Sequence, residues 1–364
     1  MKKIHWRTLP GPVLTSDKAL QAHWDRLNAE RLDVPFLSSY AIAAALAAFG
    51  GERTKLLVAD EGAEPVAMFL LEAADTWRWS TFQPSQLPLG AWVARADLRL
   101  APLCRDLLRS LPWSVMRLLV SQVDPRQEAQ ADEAPDIELA SYIDTAWLDI
   151  AGTFDDYWAA RGKNLRQNLR KQRNRLASEG TQTTMRILRS PQEMAEAVAR
   201  YGALESTGWK STEGTAIHPG NEQGRFYVQL LEEAARRDEA MVFEYLIDGR
   251  TAAMNLGICR GGVLVVLKTT YDESLPKSLS PASLLREDEL KHFFAQPDIR
   301  RLEYYGRVMD WHTKLTENRR TLYHLTAYRW PLLKTLAQRR RAAAPAAATT
   351  PPSERAEEGA LAHT

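Results

Sequence analysis

Three stretches of the sequence hold residue types that can do chemistry. Residues 161–175, "RGKNLRQNLRKQRNR", set seven basic side chains in fifteen positions with no acid among them. Clustered Lys and Arg neutralise phosphates and release counterions, so this run offers anion binding. In "PKSLSPASLL", Ser280 suits a helix N-cap, Pro281 suits the first helical position and Ser283 falls in the first turn, just after Lys277. Free amides and the positive end of the helix dipole would make that edge a phosphate site, although a Ser-Pro start is also an everyday helix signal. In "MDWHTKL", Asp310 could orient His312 beside Lys314, an amine-binding trio or simply a solvated loop.

Bulk composition narrows the partners. The formal net charge is +1, and without the basic run the remainder stands near −6. No general basic surface is left for nucleic acid, which is therefore not expected as a partner. Cys104 and Cys259 lie far apart with no Cys or His at metal-ligand spacing, which predicts two buried thiols and no metal. The start "MKKIHWRTLPGP" has charge without an apolar run behind it, and no apolar stretch approaches about 18 residues. No membrane span and a cytoplasmic location are expected.

The elements that must position these residues alternate. At roughly 100 to 200 residues per domain, 364 residues predict two. Helices are predicted over 17–31 and 38–49, followed by a hairpin, "TKLLVAD" and "PVAMFLLEA" around "EGAE". A short helix over 102–111, an extended "VMRLLVSQVD", a long exposed loop over 124–135 and a strand "YIDTAWLDI" complete the first domain, 1–150. The second, 151–335, holds the basic helix and helices over 190–206 and 222–237. Three strands come next, broken by "DG" and "RGG", then a helix over 281–294 and strands "RRLEYY" and "YHLTAYRW". Residues 336–364, rich in Ala and Pro, are expected to be a disordered tail. The class is α+β: mostly antiparallel sheets flanked by helices.

Taken in order, these motifs resemble the BioF2-like or CelD-like acyltransferases, two-lobed proteins of the GNAT fold related to the FemAB peptidyl transferases. The resemblance runs over about residues 30–330 through "VPFLSSYAIAAAL", "LLVADEGAEPVAMFLL", "FDDYWAARGKNLRQNLRKQRNRLASEG", "ESTGWKSTEGTAI", "LIDGRTAAMNLGI", "SLSPASLL" and "LEYYGRVMDWHTKL". Two departures stand out. Ala282 replaces the family's Gly in Ser-Pro-Gly, and the closing Asp, Gly, Tyr-Lys signature reads Glu303, Gly306 and then "WHTK" with a longer gap to Lys314.

The resemblance implies two GNAT-like lobes, with acetyl-CoA or another acyl-CoA bound by the second. Direct attack of a neutral amine on the thioester then needs a base, donors for the thioester oxygen and an acid for the thiolate. It places Lys268 and Thr269 on a splayed strand beside the pantetheine arm, with Lys277, Ser280, Pro281, Ala282 and Ser283 at the phosphates. Glu303 falls on the family's acidic position, as general base or as a partner of Arg300 or Arg307. Tyr304 or Tyr305 could supply the acid, and Trp209, Lys210, Asp310 and Lys314 border the acceptor. The acceptor expected is an amino sugar or other small amine, free or lipid-linked, serving a surface polysaccharide. Aminoacyl-tRNA as donor, and a non-enzymatic anionic-polymer module, are the rivals.

The basic run fits inside this scheme. Trp158, Leu165, Leu169 and Leu176, spaced 7, 4 and 7, form one stripe of a helix, while Arg166, Arg170 and Arg173 form a second. Like charges on one helix repel, so an anionic acceptor meeting Arg166 and Arg170, or acids from the other lobe, would relieve them.

Overall fold

The computed structural model describes residues 4–130, 133–207, 217–218, 220–276 and 278–343. The chain begins with a strand that the residue pattern does not predict, β1 (Ile4–Pro10), then α1 (Lys18–Ala29), whose first amides, Ala19 and Leu20, donate to Asp17. α2 (Ser39–Phe49) is followed by the expected hairpin, β2 (Thr54–Glu61) and β3 (Glu64–Ala73), and by β4 (Arg78–Thr81), β5 (Trp92–Ala94), α3 (Leu100–Ser110) and β6 (Arg117–Val123). β7 (Ile137–Asp149) leads to α4 (Phe154–Ala159), the basic helix α5 (Lys163–Ser178), β8 (Thr183–Leu188), α6 (Pro191–Thr207) and α7 (Glu222–Ala235). Next come the meander β9 (Ala240–Ile247), β10 (Arg250–Arg260) and β11 (Val263–Tyr271), then α8 (Pro281–Ala295), β12 (Arg301–Tyr304), α9 (Asp310–Leu315), β13 (Arg319–Tyr328) and α10 (Pro331–Ala343). The meander turns at Asp248-Gly249 and Gly261-Gly262, all four with positive φ (48°, 76°, 55° and 76°), as the "DG" and "RGG" signals require.

Two compact units result among the described residues: 4–144 with 320–343, and 145–319. Strand β13 and helix α10 therefore belong to the first unit, although residues 320–335 were expected in the second lobe. Residues 336–343, expected in the disordered tail, belong to α10, and residues 344–364 lie outside the described residues.

In the first unit the strand order is β1-β2-β3-β4-β6-β13, with β5 on β3. The core gathers Phe69, Trp92, Leu107, Val120 and Tyr323 between this sheet and α3. The loop expected to be exposed over 124–135 carries buried Asp124, Gln127 and Glu128 instead. Arg31 and Arg320 explain why: they pair with Glu128 (3.0 Å) and Asp124 (2.8 Å), holding the loop down by charge-assisted bonds that sequence periodicity does not register.

In the second unit the order is β7-β12-β11-β10-β9-β8. Leu169 and Leu176 of α5, Leu284 and Phe293 of α8, and Leu302 and Tyr304 of β12 share one core on one face of that sheet. The basic helix is broken where one helix was expected: Trp158 sits in α4, and Ala160 to Gly162 separate it from α5. Cys104 is buried and Cys259 half-buried, both free thiols.

Candidate functional site

β11 and β12 run parallel, Val263 to Val266 beside Arg301 to Tyr304, and there β12 ends. β11 continues from Leu267 to Tyr271, paired only with β10 among the described residues. Its register against β10 slips at this point, leaving Leu267 as the extra residue of a bulge. One edge of the last five residues of β11 is thereby open, and the same chain segment then enters α8.

α8 starts at a cavity of about 570 Å3 inside the second unit. Ser280 and Ser283 line it from the helix start, Arg161 and Gln172 from the α5 side, and Trp311 and Lys314 from α9. Ser280 occupies the N-cap, as its type predicts, but its side chain makes no capping bond; its N–H donates to Gln172 Oε1 at 2.8 Å. Ser283 N–H donates to Ser280 O at 3.0 Å, a tightened first turn. Pro281 is buried and Ala282 half-buried, and neither lines the cavity. Lys277, Trp209 and Lys210 lie outside the described residues.

Charge at the cavity is partly spent internally. Arg161 donates to Leu315 O (3.0 Å) and pairs with Glu317 (3.2 Å). Glu287 pairs with Arg173 (2.7 Å) and Lys291 (3.0 Å). Arg286 lies 3.7 Å over the Trp311 ring, a cation–π contact, and exposed Lys314 has no ion-pair partner among the described residues. Beneath them Glu289 accepts from Asn255 Nδ2 at 2.7 and 2.9 Å, and burial pushes its carboxyl up to about 8.

The arginines singled out in the sequence turn elsewhere. Residues 161, 165, 168, 169 and 172 face the cavity, a stripe one-third of a turn away from the arginine stripe. Arg166 donates to Arg161 O at 3.1 Å and Arg170 is exposed; neither lines the cavity. Arg173 meets Glu287 and Asp288, both at 2.7 Å, and Arg175 meets Glu179 at 2.8 Å, so the relieving acids come from the same unit rather than from the other lobe. Asn168 and Gln172, polar residues in step with the leucine stripe, were the available signal for the cavity-facing side.

Strand alternation separates the expected catalytic residues from the cavity. Leu302 and Tyr304 face the α5 and α8 core, so Glu303 points to the opposite face, opposite Val265 and Trp147 in register. Glu303 is 1% exposed, with Arg301 Nη1 at 3.7 Å from Oε1; Arg300 instead donates to Gly261 O. Lys268 shares that far face, 3.5 Å from buried Glu205 of α6, while Thr269 pairs opposite Asn255 on the α8 side. Tyr304 and Tyr305 are both buried. His312 is buried and stacked 3.5 Å from Trp311, and its Nδ1 accepts the Met309 N–H at 2.9 Å. Burial, then Arg286, holds its pKa down to about 3. With Nδ1 engaged and the ring neutral, its remaining nitrogen carries the proton, so His312 anchors α9 instead of accepting a proton; Asp310 is exposed and does not orient it.

Residues 163–313 match the model of an acetyltransferase (GNAT) domain. Among curated proteins none matches this sequence. Among solved structures, the chain is similar to the C-terminal domain (DUF2156) of a putative lysylphosphatidylglycerol synthetase from Agrobacterium fabrum, with a TM-score of 0.55, 10% identity, and 90% of this chain and 96% of that one covered. It is similar to a conserved protein of unknown function from Bacteroides thetaiotaomicron, with a TM-score of 0.55, 11% identity, and coverage of 90% and 100%. It is also similar to L-PGS from Bacillus licheniformis, with a TM-score of 0.52, 13% identity, and coverage of 89% and 96%. The fold is that of the GNAT-type acyltransferases, mixed α and β with mostly antiparallel strands flanked by helices. Among the described residues no group of three or more His, Cys, Asp or Glu is placed to hold a metal, and no helix is long and apolar enough to cross a membrane.

Proposed function

We propose that this protein is an acyl-CoA-dependent N-acyltransferase of the BioF2-like or CelD-like kind, with acetyl-CoA or another acyl-CoA as donor and a small amine, an amino sugar free or lipid-linked, as acceptor. The open edge of β11 from Leu267 to Tyr271, starting where β12 ends and running toward the α8 entrance, carries the proposal. A pantetheine arm is itself a chain of amides, and an unpaired strand edge supplies the matching donors and acceptors. Ser280, Ser283 and the exposed Lys314 would meet the phosphates at the start of the α8 dipole.

Glu303, on the far face, would take the proton that the acceptor ammonium must lose before its nitrogen attacks the thioester carbon. Tyr305 would return a proton to the departing thiolate. Carboxyl and thioester would then meet through the opening that the strand pairing leaves where β11 runs on beyond β12.

The test is calorimetric titration with CoA and acetyl-CoA, followed by free-thiol release across a panel of amino sugars. One CoA should bind per chain, and Glu303→Gln should lower kcat by about a hundredfold or more with KM for acetyl-CoA unchanged. No binding of either ligand, with salt-sensitive binding of RNA or an acidic polysaccharide, would overturn the proposal. Acylation only from aminoacyl-tRNA would replace its donor.

A further inference from the structure

The five large hydrophobic side chains most exposed among the described residues all belong to the first unit: Trp77 (56%), Trp113 (75%), Trp330 (49%), Leu332 (66%) and Leu336 (44%). Hydrogen bonds gather their carriers into one patch. The Met116 and Arg117 N–H groups donate to Trp77 O at 2.8 and 3.1 Å, and Arg329 N–H donates to Met116 O at 2.9 Å. The Arg329 guanidinium donates to Pro112 O, next to Trp113, at 3.0 Å.

α10 continues the patch with its polarity inverted. Lys334 is buried, its Nζ donating to Ala134 O at 3.0 Å and Ile137 O at 2.7 Å. Leu332 and Leu336, one turn apart, face outward, and the exposed Arg339 and Arg340 come after them on the same side with no ion-pair partner among the described residues. A helix that only had to pack on its own unit would place leucines inward and lysine outward. Exposed contiguous apolar surface marks an interaction site. Tryptophans, with an apolar body and an N–H, suit the lipid–water boundary, and adjacent unpaired arginines suit acidic headgroups.

We propose that this face of the first unit binds peripherally to an anionic lipid bilayer, the tryptophans and leucines entering the headgroup region and Arg339 and Arg340 pairing with lipid phosphates. The proposal does not depend on the acyltransferase reading, since no residue of the second unit enters it.

The test is co-sedimentation of the full chain with phosphatidylcholine vesicles, with and without a third of phosphatidylglycerol. Partition onto the anionic vesicles should exceed that onto neutral ones and weaken with salt. Arg339→Glu with Arg340→Glu should lower it by about tenfold or more, and Arg339→Lys with Arg340→Lys should retain it. Trp113→Ser with Leu332→Ser should lower it by about tenfold. Circular dichroism and the thermal midpoint should stay unchanged in every variant, because the altered side chains are exposed. Equal partition onto both vesicle types, or indifference to both sets of changes, would overturn the proposal. So would concentration-dependent dimerisation abolished by Trp113→Ser with Leu332→Ser, which would assign the face to a second copy.

Discussion

Each unit contains a strand–helix–strand crossover between parallel neighbours: β4–α3–β6 in the first and β11–α8–β12 in the second. The two differ beyond the paired residues. In the first unit Thr81 Oγ1 lies 2.8 Å from Ser121 Oγ and accepts from Ser121 N–H at 3.0 Å, and Gly90 N–H donates to Ser121 O at 3.1 Å. Gly90 is required there, because a Cβ on it would fall 2.5 Å from Thr81 Oγ1 and 2.6 Å from Ser121 O. The start of α3 is filled too: Glu128 Oε1 accepts from Leu100 N–H at 3.2 Å and from Arg99 at 2.8 Å, so the chain's own carboxylate occupies the anion position. In the second unit the end of β11 has no partner beside β10 among the described residues, and the α8 entrance meets a neutral Gln172 oxygen and a cavity. Topology supplies the same strand–helix entrance twice; inserted side chains close it in the first unit, and among the described residues no carboxylate fills it in the second.

That contrast breaks most visibly at Glu128. Its side chain is 6% exposed and pairs with Arg31, itself 5% exposed. Glu128→Ala strands a buried guanidinium and removes an acceptor from α3, which should cost about 3–5 kcal/mol in urea unfolding. CoA affinity per folded molecule should not change, because the plugged site is not the ligand's. A loss below about 1 kcal/mol would show that Glu128 is not what closes the first unit.

Ser283→Glu makes the reverse experiment by giving α8 a carboxylate of the kind α3 already has. CoA binding should fall by about a hundredfold in calorimetry, near 2.7 kcal/mol, as like charges meet at the helix start. Stability should rise slightly, by about 0.3–1 kcal/mol, since an acid in the first turn complements the dipole. Unchanged CoA affinity would move the phosphates away from α8.

Legibility in the sequence tracks the range of the interaction. The meander is readable because Asp248-Gly249 and Gly261-Gly262 are local turn chemistry, and α8 because Ser280 and Pro281 sit where a helix start needs them. The stripe of Leu169 and Leu176 marks the buried side of α5 correctly. The roles of the α5 arginines are not readable, because Glu287 and Asp288 meet Arg173 across more than a hundred residues. The same holds for the buried loop at Asp124 and Glu128, and for β1, whose pairing with β2 spans half the first hundred residues. The face that Glu303 occupies is within reach of the sequence: the alternation that separates Tyr304 from Tyr305 also opposes Glu303 to Tyr304.

The smallest expected effect is also the most direct question to the comparison. Thr81→Ala with Ser121→Ala removes both hydroxyls that bridge the gap beyond β4 and β6 while leaving Glu128 at the α3 entrance. Deleting both partners of one buried hydrogen bond costs less than deleting one, but Ser121 N–H loses its acceptor, so a loss of about 1–2 kcal/mol is expected. Calorimetry should still return one CoA per chain. Two per chain would mean that the hydroxyl bridge alone had closed the first unit; one per chain keeps the Glu128 carboxylate as the barrier, since an open strand edge without a free helix start offers the pantetheine a place but its phosphates none.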